Sequence, residues 1–317
     1  MAPKIKPLTR NTLRGVWSAL ILPWTERDTL DAKRFAQEIR GYAGTGVSGV
    51  YTGGTTGEFY AQDDATYEQV TEIVCREAHA MGLPVQIGVS ALSTRTVKQR
   101  IRVAKKYRAD AIQVALPFWL ELKDDEVKRF VHEVAAAAGK TPIILYLTGR
   151  SKRKVSPALM GQLAREVPTF IGTKDTGLDA KGIKAILRQA PDIAIFGGED
   201  FYVKLPAGGK GGYCSITGFN APKIVELYNL CAAGKFKEAQ PLADSVHRFL
   251  HGALVPMVTK QGLWDSAIDR IQRMAGGGVV GLRCQSPYRS GTDKDLKRVI
   301  AWCRQHTPEL LPAHLVR

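Results

Sequence analysis

The sequence lacks the features that would place it in several large classes. No uninterrupted apolar run approaches the roughly 20 residues that span a bilayer, so no membrane helix is expected. The opening MAPKIKPLTR is basic but has neither the apolar stretch nor the small-residue cleavage site of a secretory signal, and a cytoplasmic protein is expected. The five cysteines, Cys75, Cys214, Cys231, Cys284 and Cys303, are scattered, odd in number and without paired spacing, so they read as free buried thiols rather than zinc or redox motifs. The six histidines form no ligand pattern. His247 and His251 stand four residues apart, but no HExxH-type glutamate accompanies them, and no metal site is expected. Acidic residues are the scarcer charge, 30 Asp and Glu against 45 Lys and Arg, a formal net charge of +15. Such a surplus suits nucleic acid, an acidic partner or the attraction of anionic substrates. Its densest stretch, Arg95 to Arg108, sets Val97, Ile101 and Ala104 at helical spacing and leaves Lys98, Arg100, Arg102, Lys105 and Lys106 for the remaining surface. That is an amphipathic helix without the interleaved aromatics of a single-strand binder, so no nucleic-acid partner is expected.

Short apolar, β-branched runs recur near Val16, Val50, Ile87, Val114, Ile144, Ile171, Ile195 and Ser215. Amphipathic segments lie between them, including LDAKRFAQEIRGYA, DDATYEQVTEIVCREAHAMG, TRTVKQRIRVAKKY, DDEVKRFVHEVAAAAG and SPALMGQLAREV, each opened by Asp, Ser or Thr as a helix cap requires. About eight strand-helix units, with strands apolar enough to be buried on both faces, predict an α/β fold, a (β/α)8 TIM barrel. A doubly wound sheet is the structural alternative, but no GxGxxG fingerprint follows the first run, where a dinucleotide fold would place it. From about Ala221 the strand signals stop and the chain reads as consecutive helices. The expected division is a catalytic barrel over residues 1–225 and a C-terminal helical region over 226–317.

Barrel active sites lie at the C-terminal ends of the strands. That rule selects Gly53-Gly54-Thr55-Thr56-Gly57-Glu58 after the second run, Tyr146 on the fifth, Lys174 on the sixth and Gly197-Gly198-Glu199-Asp200 after the seventh. Lys174 stands out because TFIGTKD sets an amine within an apolar run. An ordinary lysine, with a pKa of about 10.4, is a poor nucleophile at neutral pH, whereas a desolvated one is lowered and attacks a carbonyl. A strand-end lysine otherwise pairs with a carboxylate, here Asp175 or Glu199, or reaches to the surface. The glycine-rich turn aims backbone N–H groups at an anion, or is simply a tight strand-to-helix loop. Tyr146 is either a core tyrosine or an acid/base at the barrel mouth.

Together, GGTTGE, Tyr146 and GTKD resemble the dihydrodipicolinate synthase and N-acetylneuraminate lyase family of class I lyases, and the resemblance extends through GVWSALILPW, GGED, GGYCSITGFN, AAGKFKEA and GLRCQSPYR. It implies that Lys174 forms a Schiff base with a 2-oxo acid, that Tyr146 is the general acid/base, and that the Thr56 hydroxyl joins the proton relay. The amides of Gly54, Thr55 and Thr56 would cradle the substrate carboxylate. No cofactor beyond the covalent lysine adduct is implied, and a homo-oligomer, dimer or tetramer, is. Members that act as synthases commonly carry a tyrosine pair after strand four; here Phe118-Trp119 stands there, and neither side chain shuttles a proton. The arginine usual five residues after the strand-five tyrosine is Ser151, so Arg150 is either a shifted carboxylate clamp or one member of a solvated basic loop with Lys152, Arg153 and Lys154. Tyr213-Cys214-Ser215 with Asn220 resembles the sugar-acid dehydratases, and Ser215 and Asn220 are either contacts for a hydroxylated tail or satisfied strand-end polar groups. The expected function is a 2-keto-3-deoxy sugar-acid dehydratase or a pyruvate-releasing aldolase. The alternatives are a synthase condensing pyruvate with aspartate semialdehyde and a catalytically silent ligand-binding barrel.

Overall fold

A computed structural model of the chain describes residues 5–316. Eight parallel strands close in sequence order into one barrel: β1 (Gly15–Ala19), β2 (Gly49–Thr52), β3 (Val85–Gly88), β4 (Ala111–Ala115), β5 (Ile143–Leu147), β6 (Phe170–Asp175), β7 (Ala194–Gly197) and β8 (Gly211–Cys214). Each lies in one of the apolar runs. Every strand residue except Asp175 is buried, and strands covered on both faces read as continuous apolar runs rather than alternating ones.

The outer helices are α1 (Ala32–Arg40), α2 (Asp64–Ala80), α3 (Thr94–Lys106), α4 (Asp124–Ala138), α5 (Pro157–Glu166), α6 (Ala180–Gln189), the short α7 (Phe201–Lys204) and α8 (Thr217–Ala232). Asp31, Asp63, Ser93, Ser156 and Asp179 each accept an orphan backbone N–H in the first turn of their helices, the capping chemistry read from the sequence. Helix α4 departs from it: the cap position is Lys123, and Glu126 reaches back to accept the Lys123 backbone N–H at 2.7 Å. In α3 the apolar stripe is as expected, but Arg100 is buried with it, donating to the Ser90 carbonyl and lying 4.8 Å from the Tyr67 ring centroid. The long stem of arginine allows its head to reach a carbonyl from a helix face that spacing alone assigns to water.

Trp17, Tyr51, Phe196 and Tyr213 fill the barrel interior, joined by Leu8 and Leu13 from the segment before β1. After α8 come α9 (Phe236–Arg248), a π-helical turn (Phe249–Leu254), α10 (Val255–Gln261), α11 (Asp265–Ala275) and α12 (Asp293–His306). The expected division after residue 225 falls inside α8. The apolar cluster under these helices takes in Val16, Phe201 and Cys214 of the barrel as well as Leu242, Phe249 and Ile271. The C-terminal helices therefore extend the barrel's own packing. Helix α11 is fastened hardest: Arg270 pairs with Glu58 after β2, and Arg273 with Glu38 on α1, with both carboxylates fully buried. No helix among the described residues is long and apolar enough to cross a membrane.

Candidate active site

The register of β5 and β6 sets Tyr146 directly beside Lys174, so the two side chains share the inner face near the C-terminal rim. Lys174 is 8% exposed, and its Nζ donates to the Tyr51 hydroxyl at 3.2 Å. The ring centroids of Tyr146, Tyr51 and Tyr213 lie 4.6, 5.0 and 5.8 Å from that nitrogen. No carboxylate lies within ion-pair distance of it among the described residues; the nearby Asp200 is taken by Lys204, 3.2 Å away. Lys174 is thus an amine held by phenols, inside a cavity of about 450 Å3 that also exposes Thr55, Thr56, Glu199 and Ser215. A cation formed on Nζ, such as an iminium, meets three ring faces, which stabilise it without neutralising it.

The β2 loop is shaped by close approach. Gly53 has φ +75°, and a Cβ there would lie 2.6 Å from the Gly88 carbonyl oxygen, so only glycine fits between the ends of β2 and β3. Glu58, at the far end of the loop, has a left-handed φ of 47° and is fully buried. It accepts from Trp24 Nε1 at 2.6 Å, from the Gln285 backbone N–H at 3.1 Å and from Arg270, so this glutamate anchors the loop and does not face the substrate cavity. A Cβ on Gly54 would lie 3.6 Å from the Tyr51 ring, and Gly54 is not among the residues that line the cavity.

The partner of Thr56 is one the sequence did not suggest, and the expectation for Asn220 is corrected. The Thr56 hydroxyl donates to Asp269 Oδ2 on α11 at 2.7 Å, so its proton is committed to a carboxylate rather than to Tyr146. Asn220 breaks α8 with a non-helical φ of −152°. Its amide nitrogen donates to the carbonyls of Leu310 and Leu311, and its oxygen accepts from Lys223 N–H; a kinked helix and a docked C-terminal turn use both of its donors and one acceptor site, and it does not line the cavity.

Beside Lys174, past the ends of the neighbouring β7 and β8, stands a cluster of hydrogen-bonding side chains. Glu199 Oε1 accepts from the Ser215 backbone, the Ser215 hydroxyl and the Ile216 backbone at 2.8, 2.6 and 3.2 Å. Gln272 Nε2 donates to Ser215 Oγ at 2.7 Å and to Asp269 Oδ1 at 2.9 Å. Glu199 Oε2 and Gln272 Oε1 are buried with no partner among the described residues. Burial pushes the Glu199 carboxyl up, while the Ser215 hydrogen bonds and the Lys174 ammonium pull it back. Asp269 is raised to about 7 by burial and then by Asp265. Arg150 and Asp265 pair at 2.8 Å across the mouth. Beyond them a second lobe of about 300 Å3 is lined by Phe59, Tyr60, Phe118, Trp264 and Tyr288, so Phe118 faces the cavity as an apolar surface. His247 and His251 lie on the rim with ring centroids 4.2 Å apart and planes tilted by 34°.

Of the residues singled out from the sequence, Lys174, Tyr146, Thr55, Thr56, Ser215 and Arg150 meet in this cavity; Gly54 and Asn220 do not. Tyr51, Asp265, Asp269 and Gln272 were missed. The last three recur at i, i+4 and i+7 on α11, a polar stripe along one helix face that was legible as a pattern.

A buried lysine among phenols at the C-terminal rim of a parallel barrel defines a lyase of the lysine Schiff-base class. The comparisons agree. The model of the dihydrodipicolinate synthetase family matches residues 12–276, so the chain belongs to that family of cofactor-free lyases acting on pyruvate-type substrates. The N-acetylneuraminate lyase of Salmonella paratyphi B is 30% identical over 296 residues, covering 92% of this chain and 97% of its own. That of Salmonella typhimurium is 26% identical over 297 residues with the same coverage, 92% and 97%. Two solved structures share the fold. A catalytic-lysine mutant of the Ruminococcus gnavus sialic acid aldolase has a TM-score of 0.84 at 20% identity, over 95% of this chain and 99% of its own. An E. coli prophage protein of the dihydrodipicolinic acid synthase family, in complex with pyruvate, has a TM-score of 0.83 at 19% identity, over 92% and 98%.

Proposed function

We propose that this lyase binds a 2-oxo acid through Lys174 and acts on a hydroxylated chain, as a 2-keto-3-deoxy sugar-acid dehydratase or a pyruvate-releasing aldolase. The observation that carries the substrate class is the polar side of the cavity: Glu199, Ser215 and Gln272 line it together with Lys174, and Glu199 Oε2 and Gln272 Oε1 have no partner among the described residues. Buried acceptors are costly unless a donor reaches them, and the hydroxyls of a sugar-acid tail are donors of the right kind. In this reading the Lys174 amine attacks C2, water leaves, and the iminium withdraws electrons from C3. Tyr146 moves the C3 proton or, for the aldolase, the proton of the C4 hydroxyl. The Thr55 and Thr56 amides hold the carboxylate, with Arg150 at the mouth supplying the positive charge. The iminium is itself the electron sink, so neither metal nor organic cofactor enters.

The same reading includes a cytoplasmic homo-oligomer. Trp119 and Leu120 are 75% and 73% exposed beside the mouth, an apolar surface that a second copy would cover, which light scattering tests. The chemistry is tested by incubating the protein with pyruvate or a 2-keto-3-deoxy sugar acid, reducing with borohydride and mapping the adduct by mass. An adduct at Lys174 is expected, with pyruvate release marking an aldolase and loss of water from an intact carbon chain marking a dehydratase. Absence of any adduct at Lys174 sinks the reading.

A further inference from the structure

Thr56 has one hydroxyl proton, and Asp269 Oδ2 accepts it at 2.7 Å. A hydroxyl committed in this way turns only its lone pairs to the cavity, so it takes a proton from the substrate side as it passes its own to the carboxylate. Asp269 is built for that role. It is 5% exposed, lines the cavity with Thr56, Tyr146 and Lys174, and is fixed at its second oxygen by Gln272 Nε2 at 2.9 Å. Its helix, α11, is in turn pinned to the barrel by the Arg270–Glu58 and Arg273–Glu38 pairs, so the Thr56–Asp269 contact joins two rigid elements. Phe118 and Trp119 at the end of β4 bring no hydroxyl that would serve instead.

We propose that Asp269 is the terminus of the proton relay in this site, receiving through Thr56 the proton removed from the bound 2-oxo acid and returning it by the same path. The step is balanced within O–H bonds. The Thr56 O–H bond breaks toward the Asp269 carboxylate while a new O–H bond forms on Thr56 from Tyr146 or a substrate hydroxyl; the electron pair of the broken C3–H bond stays on carbon, delocalised into the iminium as an enamine. Asp269 acts through Thr56 and is therefore a positioning residue. The inference rests on the Schiff-base reading above.

A relay terminus must hold and release a proton with similar ease at working pH. Burial and then Asp265 push the Asp269 carboxyl up to about 7, Thr56 and Ser215 pull it down, and Glu199 at the end of β7 pushes it up again. Tyr51 on β2 and Tyr42 after α1 also lie in its field, and no cation forms an ion pair with it among the described residues.

Exchange of the pyruvate methyl protons with deuterium oxide, followed by NMR, reads the relay without knowledge of the natural substrate. Asp269→Asn keeps the shape and is expected to trap pyruvate at Lys174 with borohydride as wild type does, yet to exchange about a hundredfold more slowly, with the rate limb near neutral pH gone. Asp269→Glu is expected to recover part of the rate and the limb. Thr56→Val should lose as much as Asp269→Asn, and the double variant no more than either. Wild-type exchange and an unchanged limb in Asp269→Asn overturn the proposal, as do losses that multiply in the double variant. If Asp269→Asn does not fold, Asp269→Glu and Thr56→Val decide it: a Thr56→Val protein with wild-type exchange overturns it. A wild-type protein that traps no pyruvate would instead overturn the Schiff-base reading, and the two failures are distinct.

Discussion

Lys174 and Lys204 are both buried beside one cavity, 8% and 3% exposed, and they are held in opposite ways. Lys204 donates to the Asp175 carbonyl at 3.0 Å and pairs with Asp200 at 3.2 Å, so its charge is answered. Lys174 has a phenol 3.2 Å away and three ring faces, and no anion in contact. Burial alone therefore does not mark a nucleophile; burial without a partner does. Helix α11 repeats the contrast on its two faces. Arg270 and Arg273 meet Glu58 and Glu38, whereas Asp269 and Gln272 turn toward the cavity with capacity left over.

The largest effect that would break or keep this comparison comes from the lysines themselves. Lys174→Ala should abolish the borohydride adduct and lower turnover by at least about 10⁴-fold, the scale of losing a covalent nucleophile. Lys204→Met should leave the adduct at Lys174 intact and cost about 1–3 kcal/mol of stability in urea unfolding, because Asp200 is left without its buried partner but is itself half exposed. Equal trapping by both variants would show that the contrast between them has no chemical meaning.

Glu58→Gln tests the satisfied face of α11. Both members of the Arg270–Glu58 pair are fully buried, and unpairing a buried charge costs about 3–5 kcal/mol. A large fall in the urea midpoint is expected, together with lost exchange activity, since the same loop carries Thr55 and Thr56. A midpoint within about 0.5 kcal/mol of wild type would mean that the pair does not fasten the helix.

The unsatisfied face should show in the pH dependence of stability. The Asp269 carboxyl is raised from 3.8 to about 7 in the folded protein, so between about pH 4 and pH 7 the folded state holds a proton that the unfolded chain has released. Stability supplied by this group is therefore present at low pH, falls as pH rises through that window, and is flat above it. Asp269→Asn should remove its share of the fall. Unfolding midpoints of the two proteins at pH 4.5 and 7.5 that differ by the same amount at both values would contradict the assignment.

The same contrast explains what was legible in the sequence. A buried strand declares itself as an apolar run, so the eight strands were readable from composition and order; Lys174 and Tyr146 were conspicuous within them, but only the family resemblance gave them roles. Tyr51 lies in an equally apolar run, GVSGVYT, but its hydroxyl has a use only because β2 and β6 face each other across the barrel, which no local pattern encodes. Asp265, Asp269 and Gln272 carried a visible i, i+4, i+7 stripe, yet whether a polar stripe meets water or an active site is decided by where its helix docks. The signal for docking was itself present as Arg270 and Arg273 on the neighbouring face, two charges whose carboxylate partners lie more than two hundred residues earlier. Asn220 shows the reverse error: a polar residue close to a strand exit whose amide is consumed by Leu310 and Leu311 at the far end of the chain.

Arg150 gives the smallest stability effect and the finest cut. Its pair with Asp265 is 2.8 Å long, but the two side chains are 52% and 37% exposed, and exposed pairs contribute about 0.2–1 kcal/mol. Arg150→Ala should therefore hardly move the unfolding midpoint. The side chain nonetheless stands where the polar cavity meets the aromatic lobe, with Asp265 holding its guanidinium in place. If it clamps a carboxylate, pyruvate should still be trapped at Lys174 but only at higher concentration, with the half-saturating level rising about tenfold and the maximal exchange rate kept. Asp265→Asn should produce a weaker version of the same shift, because it frees the guanidinium without removing it. An unchanged half-saturating concentration in Arg150→Ala would return Arg150 to the solvated basic loop that carries Lys152, Arg153 and Lys154, and leave the Thr55 and Thr56 amides as the carboxylate's sole anchor.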